Sequence, residues 1–235
     1  MIKHLGIAVA LVLSICSSVL AQKPKPVVPA PKPAPKEVSD PKAKAVLDKI
    51  LKQYNGYKSM ETTFTLTIQV SGAKVDVQKG KLIQQGAQYA MTMDKQAVFC
   101  DAKTVWFYQK KINEVQVSSV SISDDSPVLG PKQLLKIYQS GQYIYAITGE
   151  GVDAGKNVQY IEFKPVNRNG EYTKIRLAIE KGTSQIVYFK AFTRDATQYT
   201  MTLGPITANK TYSSATFVFD KMKYPGVRVE DLRID

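Results

Sequence analysis

Nucleophile–base chemistry needs a side chain that exchanges a proton near neutral pH, and this sequence holds one histidine, His4, and two cysteines, Cys16 and Cys100. His4 and Cys16 both sit in the opening stretch MIKHLGIAVALVLSICSSVLAQ. There a short basic start, an apolar run from Leu5 to Ile15 and small residues around Val19-Leu20-Ala21 form a secretory signal, too short to span a bilayer. Cleavage is expected after Ala21, making residues 1–21 a signal peptide. The rival, a lipid-bearing Cys16, is disfavoured because Ile15 precedes it where such signals want Gly, Ala or Ser. The mature chain then lacks histidine and keeps only Cys100. That excludes an intramolecular disulfide, His/Cys zinc sites, and Ser-His-Asp or Cys-His catalysis. The carboxylates offer little more. Asp124-Asp125 lacks the ligand spacing of a calcium loop and reads as a solvated loop. Glu230-Asp231, adjacent in a strand, point to opposite faces and cannot flank one bond. Gly149-Glu150-Gly151 reads as a lone turn, and no glycine-rich phosphate loop appears. Cys100, inside AVFCD, reads as a buried inert thiol. No cofactor is expected, and the chain does not read as an enzyme.

What remains is apolar surface in excess. The stretch TVWFYQK carries the sole tryptophan, Trp106, and is apolar on both faces from Val105 to Tyr108. Stepping along the chain, Ser39-Asp40-Pro41 is a helix start, with Asp40 as cap and Pro41 at the first helical position. Ala43, Val46, Leu47, Ile50, Leu51 and Tyr54 follow at helical spacing, and Asn55-Gly56 closes the helix. The period then switches to two. ETTFTLTIQV places Phe64, Leu66, Ile68 and Val70 on one face with threonines on the other; VDVQKGKLIQQ follows, and QYAMTMD alternates Tyr89, Met91 and Met93. AVFCD, TVWFYQK and EVQVSSV continue the meander. After the loop SISDDSPVLGP, Pro131 opens and Gly141 ends a short helix in which Leu134, Leu135, Ile137 and Tyr138 form an apolar wedge. Strands resume with YIYAITG, NVQYIEFKPV, TKIRLAIEK, QIVYFKAFTRD and TQYTMTLG, and SATFVFD is the last expected. About eleven or twelve strands with short turns imply one large, curved antiparallel sheet or barrel, partly covered by the leading helix.

Residues 22–39, QKPKPVVPAPKPAPKEVS, alternate Pro and Lys and cannot build a core; they read as an extended, disordered linker before a domain at 40–235. The chain carries a formal net charge of +12. That suits anionic lipid head groups or an acidic protein patch, while nucleic acid is not expected for an exported chain.

DAKTVWFYQKKINEVQVS resembles the Asp-Gly-Lys-Thr-Leu-Trp-Phe-Tyr strand of the periplasmic outer-membrane lipoprotein carriers, the LolA family. FVFDKMKYPGVRVEDLR resembles that family's ending, and AVLDKILKQYNGYKSMETTFTLTI its helix-then-strand opening. The resemblance runs from about Pro41 to Asp235. It implies an unclosed antiparallel β-barrel, mainly β with α, holding a leading helix and an inserted lid helix. It also implies a periplasmic carrier that binds lipoprotein acyl chains without catalysing a reaction. Its implied partners are an inner-membrane lipoprotein-releasing ABC transporter and an outer-membrane acceptor; a monomer is expected. On this reading the cavity draws on Phe64, Leu66 and Ile68, on Tyr89, Met91 and Met93, and on Trp106 and Phe107. Phe163, then Ile175, Leu177 and Ile179, and finally Tyr199 and Met201 complete it, with Leu134, Leu135, Ile137 and Tyr138 as lid. The sequence departs from the family at KLIQQGAQYAMTM, where Gln84-Gln85 stand in place of the usual Arg-Pro pair whose arginine helps latch the lid. The other reading open at this point is an envelope sensor or interaction module on the same fold, binding lipid or a partner protein without transport.

Overall fold

The computed structural model describes residues 38–120, 137–153 and 155–233. The expected signal, nearly all of the Pro/Lys-rich segment, Asp124, Asp125, Leu134 and Leu135 lie outside them. Helix α1 (Pro41–Asn55) begins where the sequence supplies a cap: the Asp40 carboxylate accepts the Lys42 N–H at 2.8 Å, and Pro41 needs no partner. Its apolar stripe, Ala43, Leu47, Ile50 and Tyr54, is wholly buried.

The stripe lies on one 13-stranded sheet. β1 (Ser59–Gln69), β2 (Asp76–Gln85), β3 (Gln88–Met93), β4 (Gln96–Cys100), β5 (Thr104–Gln109) and β6 (Glu114–Ser119) form an antiparallel meander. β7 (Tyr143–Asp153), β8 (Lys156–Pro165), β9 (Tyr172–Glu180), β10 (Ile186–Thr193) and β11 (Gln198–Leu203) form a second, which joins the first where β11 pairs with β1. The two-residue β12 (Thr207–Ala208) pairs with the start of β1. β13 (Arg228–Asp231) closes the order β13-β6-β5-β4-β3-β2-β1-β11-β10-β9-β8-β7, so the sheet remains open between β13 and β7. The Asp40 N–H donates to the Tyr145 carbonyl at 2.8 Å and covers part of the β7 edge. The β13 edge is short and charged, which discourages pairing with another chain.

Two local expectations change, and a third, the helix before β7, lies largely outside the described residues. Gly149-Glu150-Gly151 is not a turn but lies inside β7, where the register slips between Ile147 and Gly149. SATFVFD is not a strand: Ser213 caps a 3-10 turn, Ser214–Phe217, that touches β3. β3 already has a partner on each side, so a segment crossing its face has no ladder to join. The last strand is instead β13, which runs parallel to β6. Of the helix expected from Pro131 to Gly141, the described part is a single 3-10 turn, Ile137–Gln139.

The residues after β12 cross the outer face of β4–β6, the face away from α1. Phe219 and Val227 pack with Ala97, Tyr108 and Val115, and Phe99, Trp106 and Tyr224 border this cluster. Two carboxylates clasp the segment. The Tyr212 hydroxyl donates to Glu61 at 2.6 Å, and the Arg228 guanidinium donates to the buried Glu114, its Nε at 2.7 Å. Each bond is the largest cause holding its carboxyl below the ordinary value of 4.5. A depressed folded pKa makes this clasp complete above the ordinary value and loses it as pH falls through the lower folded value. Trp106, as the only tryptophan, reports the event. Its emission is expected to shift red on acidification below about 4.5, before global unfolding. Glu114→Gln should produce the shift at neutral pH; unchanged emission in that variant would show that the ion pair does not hold the segment.

Packing on the inner face is equally specific. Gly80 pairs with Phe64 of β1, and the Phe64 ring lies where a Gly80 Cβ would project. Gly80→Ala is expected to cost about 1–3 kcal/mol of unfolding free energy through overpacking, measurable by denaturant titration.

Candidate functional site

Strand register sorts the apolar residues into cross-strand rows on the α1-bearing face. One row runs Gln78, Leu66, Met201, Phe189, Leu177, Ile161, Ile147 from β2 to β7. The next runs Asp76, Ile68, Tyr199, Ala191, Ile175, Phe163, Tyr145 over the same strands. Each row is polar at its β2 end and apolar beyond it. α1 covers only part of this face. Leu177, Ile161, Ile175 and Phe163 are buried in the cluster that includes Leu47, Ile50 and Tyr54. Leu66, Ile68 and Met201 are half-buried and Tyr199 is 37% exposed. The four lie side by side on β1 and β11, as Leu66–Met201 and Ile68–Tyr199 pairs, and form an apolar patch continuous with the core.

The sequence-derived cavity set therefore divides. Phe64, Tyr89, Met91, Met93, Phe163, Ile175, Leu177 and Ile179 belong to the buried cluster with α1, and Leu66, Phe107 and Met201 pack at its margin. Ile68 and Tyr199 share the face by register. Trp106 does not join them. Alternation along β5 sends Phe107 to the inner face and Trp106 to the outer one, beside the cluster of Phe219 and Val227. Of the lid residues, Tyr138 is buried in the main cluster and Ile137 packs against it. The Tyr138 hydroxyl donates to Asp48 of α1 at 2.7 Å, and its ring meets Tyr145 edge-on. The Asp48 carboxyl is held below its ordinary value by Lys44 first and Tyr138 second. This tie between the segment before β7 and α1 was not visible in the sequence, because the two residues stand 90 positions apart. Cys100 is buried, which pushes its thiol pKa up.

Two further side chains lie on this face: Gln84, noted in the sequence only as a departure from the family's latch, and Gln78, which escaped the sequence reading since a lone glutamine in a strand carries no signal. Gln78 and Gln84 are buried, and the Oε1 of each lacks a hydrogen-bond partner. A recess of about 500 Å³ lies elsewhere, beside the end of α1, lined by Lys49, Lys52, Gln53, Gly56, Tyr57 and Asn209. It shares no residue with the apolar rows.

The family model for outer membrane lipoprotein carrier protein LolA matches residues 55–220. Among curated proteins nothing matches the chain. Among solved structures, an uncharacterized conserved protein from Thermus thermophilus is similar at 10% identity and a TM-score of 0.54, covering 81% of this chain and 99% of its own. That likeness supports the open-sheet fold. A LolA superfamily protein from Nitrosomonas europaea aligns at 9% identity and 0.41, over 75% of this chain and 97% of its own. A putative outer membrane lipoprotein-sorting protein domain from Vibrio parahaemolyticus aligns at 10% and 0.43, over 74% and 94%.

Burial separates wall from open patch, and the two should respond differently to a polar side chain. Met91 is 2% exposed, so Met91→Gln is expected to cost about 1–3 kcal/mol in denaturant unfolding. Leu66→Gln, at the open patch, should cost less than about 1 kcal/mol. Equal losses at both positions would show that the patch is as tightly packed as the wall.

Proposed function

The chain belongs to the outer membrane lipoprotein carrier protein LolA family, and from that membership we propose that it is a periplasmic carrier holding the acyl chains of a lipoprotein against its inner face. The observation that carries this reading is the patch of Leu66, Ile68, Met201 and Tyr199, which is apolar, partly open and continuous with the core. A soluble carrier needs such a surface. Each methylene left in water costs about 0.8 kcal/mol, so a chain of roughly 15 methylenes costs on the order of 12 kcal/mol. The buried residues under α1 would serve as wall, and the patch as the place where a chain begins to be covered.

Loading would then extend beneath α1. The contacts that hold α1 and the lid segment support this role: Asp40 to β7 and Tyr138 to Asp48. The Tyr138–Asp48 bond joins the end of the proposed lid to the helix it must move with, a task the family gives to an arginine that this chain lacks at Gln84-Gln85. Cargo would arrive from an inner-membrane lipoprotein-releasing ABC transporter and leave to an outer-membrane acceptor. The protein performs no bond chemistry in this scheme. The net positive charge would help it approach anionic surfaces.

Native mass spectrometry of the protein purified from its own envelope is expected to find lipidated protein bound. Leu66→Glu and Met201→Glu should weaken displacement of a fluorescent fatty acid by tenfold or more, since a charge opposed to an acyl chain costs several kcal/mol. Protein recovered empty of lipid but joined to another protein would instead favour an interaction module. Unaltered fatty-acid binding in both variants would remove the patch from the site.

A further inference from the structure

The polar end of the apolar rows holds an acceptor with nothing to accept. Gln78 is 6% exposed and faces inward beside Leu66. Its Nε2 donates to Asp76 at 3.1 Å, and Lys95 donates to the same carboxylate oxygen at 2.6 Å. That bond fixes which way the amide points, so Oε1 is the atom left buried and unpaired. A buried acceptor without a donor is destabilising, and a ligand supplying a donor there would recover that loss. Gln84 has the same defect in a different setting. Its neighbours on the face, Met60 and Leu82, are closed to solvent, and its Nε2 turns back to the Gly86 carbonyl. Of these two glutamines, Gln78 is the one that combines an orphan acceptor with an open apolar patch at its side.

We propose that Gln78 Oε1 accepts the N–H of an amide-linked acyl chain whose hydrocarbon lies along Leu66, Met201, Ile68 and Tyr199. This rests on the acyl-carrier reading above and adds a specificity residue to it: in an N-acylated peptide the first group beyond the acyl carbonyl is a donor. An ionised fatty acid or an ester presents only acceptors at that point, facing the Asp76 carboxylate as well as Gln78 Oε1. Gln78 is thus a specificity residue that distinguishes the amide from the ester at the head of the chain.

The test is a matched pair of probes, N-palmitoylglycine methyl ester and its analogue with the N–H replaced by oxygen, palmitoylglycolic acid methyl ester. Affinities are read by displacement of a fluorescent fatty acid from the full mature protein. The amide is expected to bind about five- to tenfold more tightly, the worth of one recovered hydrogen bond. Gln78→Met should bring that ratio close to one by weakening the amide alone, while Gln84→Met leaves it as in the wild type. Equal affinity of the wild type for both probes, or a ratio unchanged in Gln78→Met, overturns the assignment yet leaves acyl carriage standing. Failure of both probes to bind overturns the carrier reading itself. Should Gln78→Met not fold, the wild-type ratio decides alone. A palmitoylated tripeptide compared with N-palmitoylethanolamine separates a peptide-borne chain from a free amide lipid. Tighter peptide binding supports the assigned ligand class, and tighter lipid binding overturns it.

Discussion

An open sheet with an apolar face must find cover, and nearly every other feature of this protein answers that requirement. A closed barrel buries its interior by closure alone. Here β7 and β13 are not joined, and the inner face is covered from within the chain by α1. Leu47, Ile50 and Tyr54 are wholly buried, each contributing about 1.5–3 kcal/mol by burial, and they set how far the cover reaches. Tyr54 also accepts the Ile186 N–H through its hydroxyl at 3.3 Å, which seats the end of the helix over β10. One helix is narrower than the sheet it lies on. Leu66 and Ile68 on β1 and Met201 and Tyr199 on β11 stay half-open, so the candidate patch lies where cover of the inner face is incomplete.

The outer face poses the same problem and solves it differently. β5 is apolar on both sides, and its outer side meets the C-terminal segment through Tyr108, Phe219 and Tyr224, the last two stacked at 4.6 Å between ring centroids. That segment cannot extend the sheet where it crosses β3, so it turns, inserts Phe217 and regains a ladder only at β13. It is held by charged and hydrogen-bonded clasps as well as by this apolar packing, whereas α1 is seated mainly by hydrocarbon. Across the sheet, Arg176 and Lys174 both meet Glu162, and the Arg176 guanidinium lies over the Tyr160 ring, so this part of the outer face carries its own polar cover.

Much of the fold was legible residue by residue. The Asp40-Pro41 start, the stripe through Tyr54 and the alternation in ETTFTLTIQV and QYAMTMD each follow from one local rule, and α1, β1 and β3 fall where those rules put them. The failures share a cause. Gly149-Glu150-Gly151 has turn composition, yet β8 offers it a full ladder with one slip, and the pairing outweighs the glycines. SATFVFD has strand composition, yet no free edge lies where it passes. Propensity describes a segment alone, while strand formation depends on whether a partner is vacant.

The candidate site divides along the same line. Sequence by itself determined that the one histidine, His4, lies in the opening apolar stretch and none in the rest of the chain, that the apolar residues alternate, and therefore that each strand has one face able to meet hydrocarbon. It also carried the family resemblance. Only the tertiary structure decided which face meets what. Trp106 and Phe107 are neighbours in the chain and lie on opposite sides of the sheet, one under the C-terminal segment and one at the margin of the main core. Met91 and Leu66 have the same alternation, yet Met91 is closed to solvent inside the main cluster and Leu66 is half-buried at its margin. The isolation of Gln78 Oε1 is likewise an outcome of assembly. Alternation sets a residue's side, but its cover comes from segments distant in the chain, and no local pattern records where those segments come to rest.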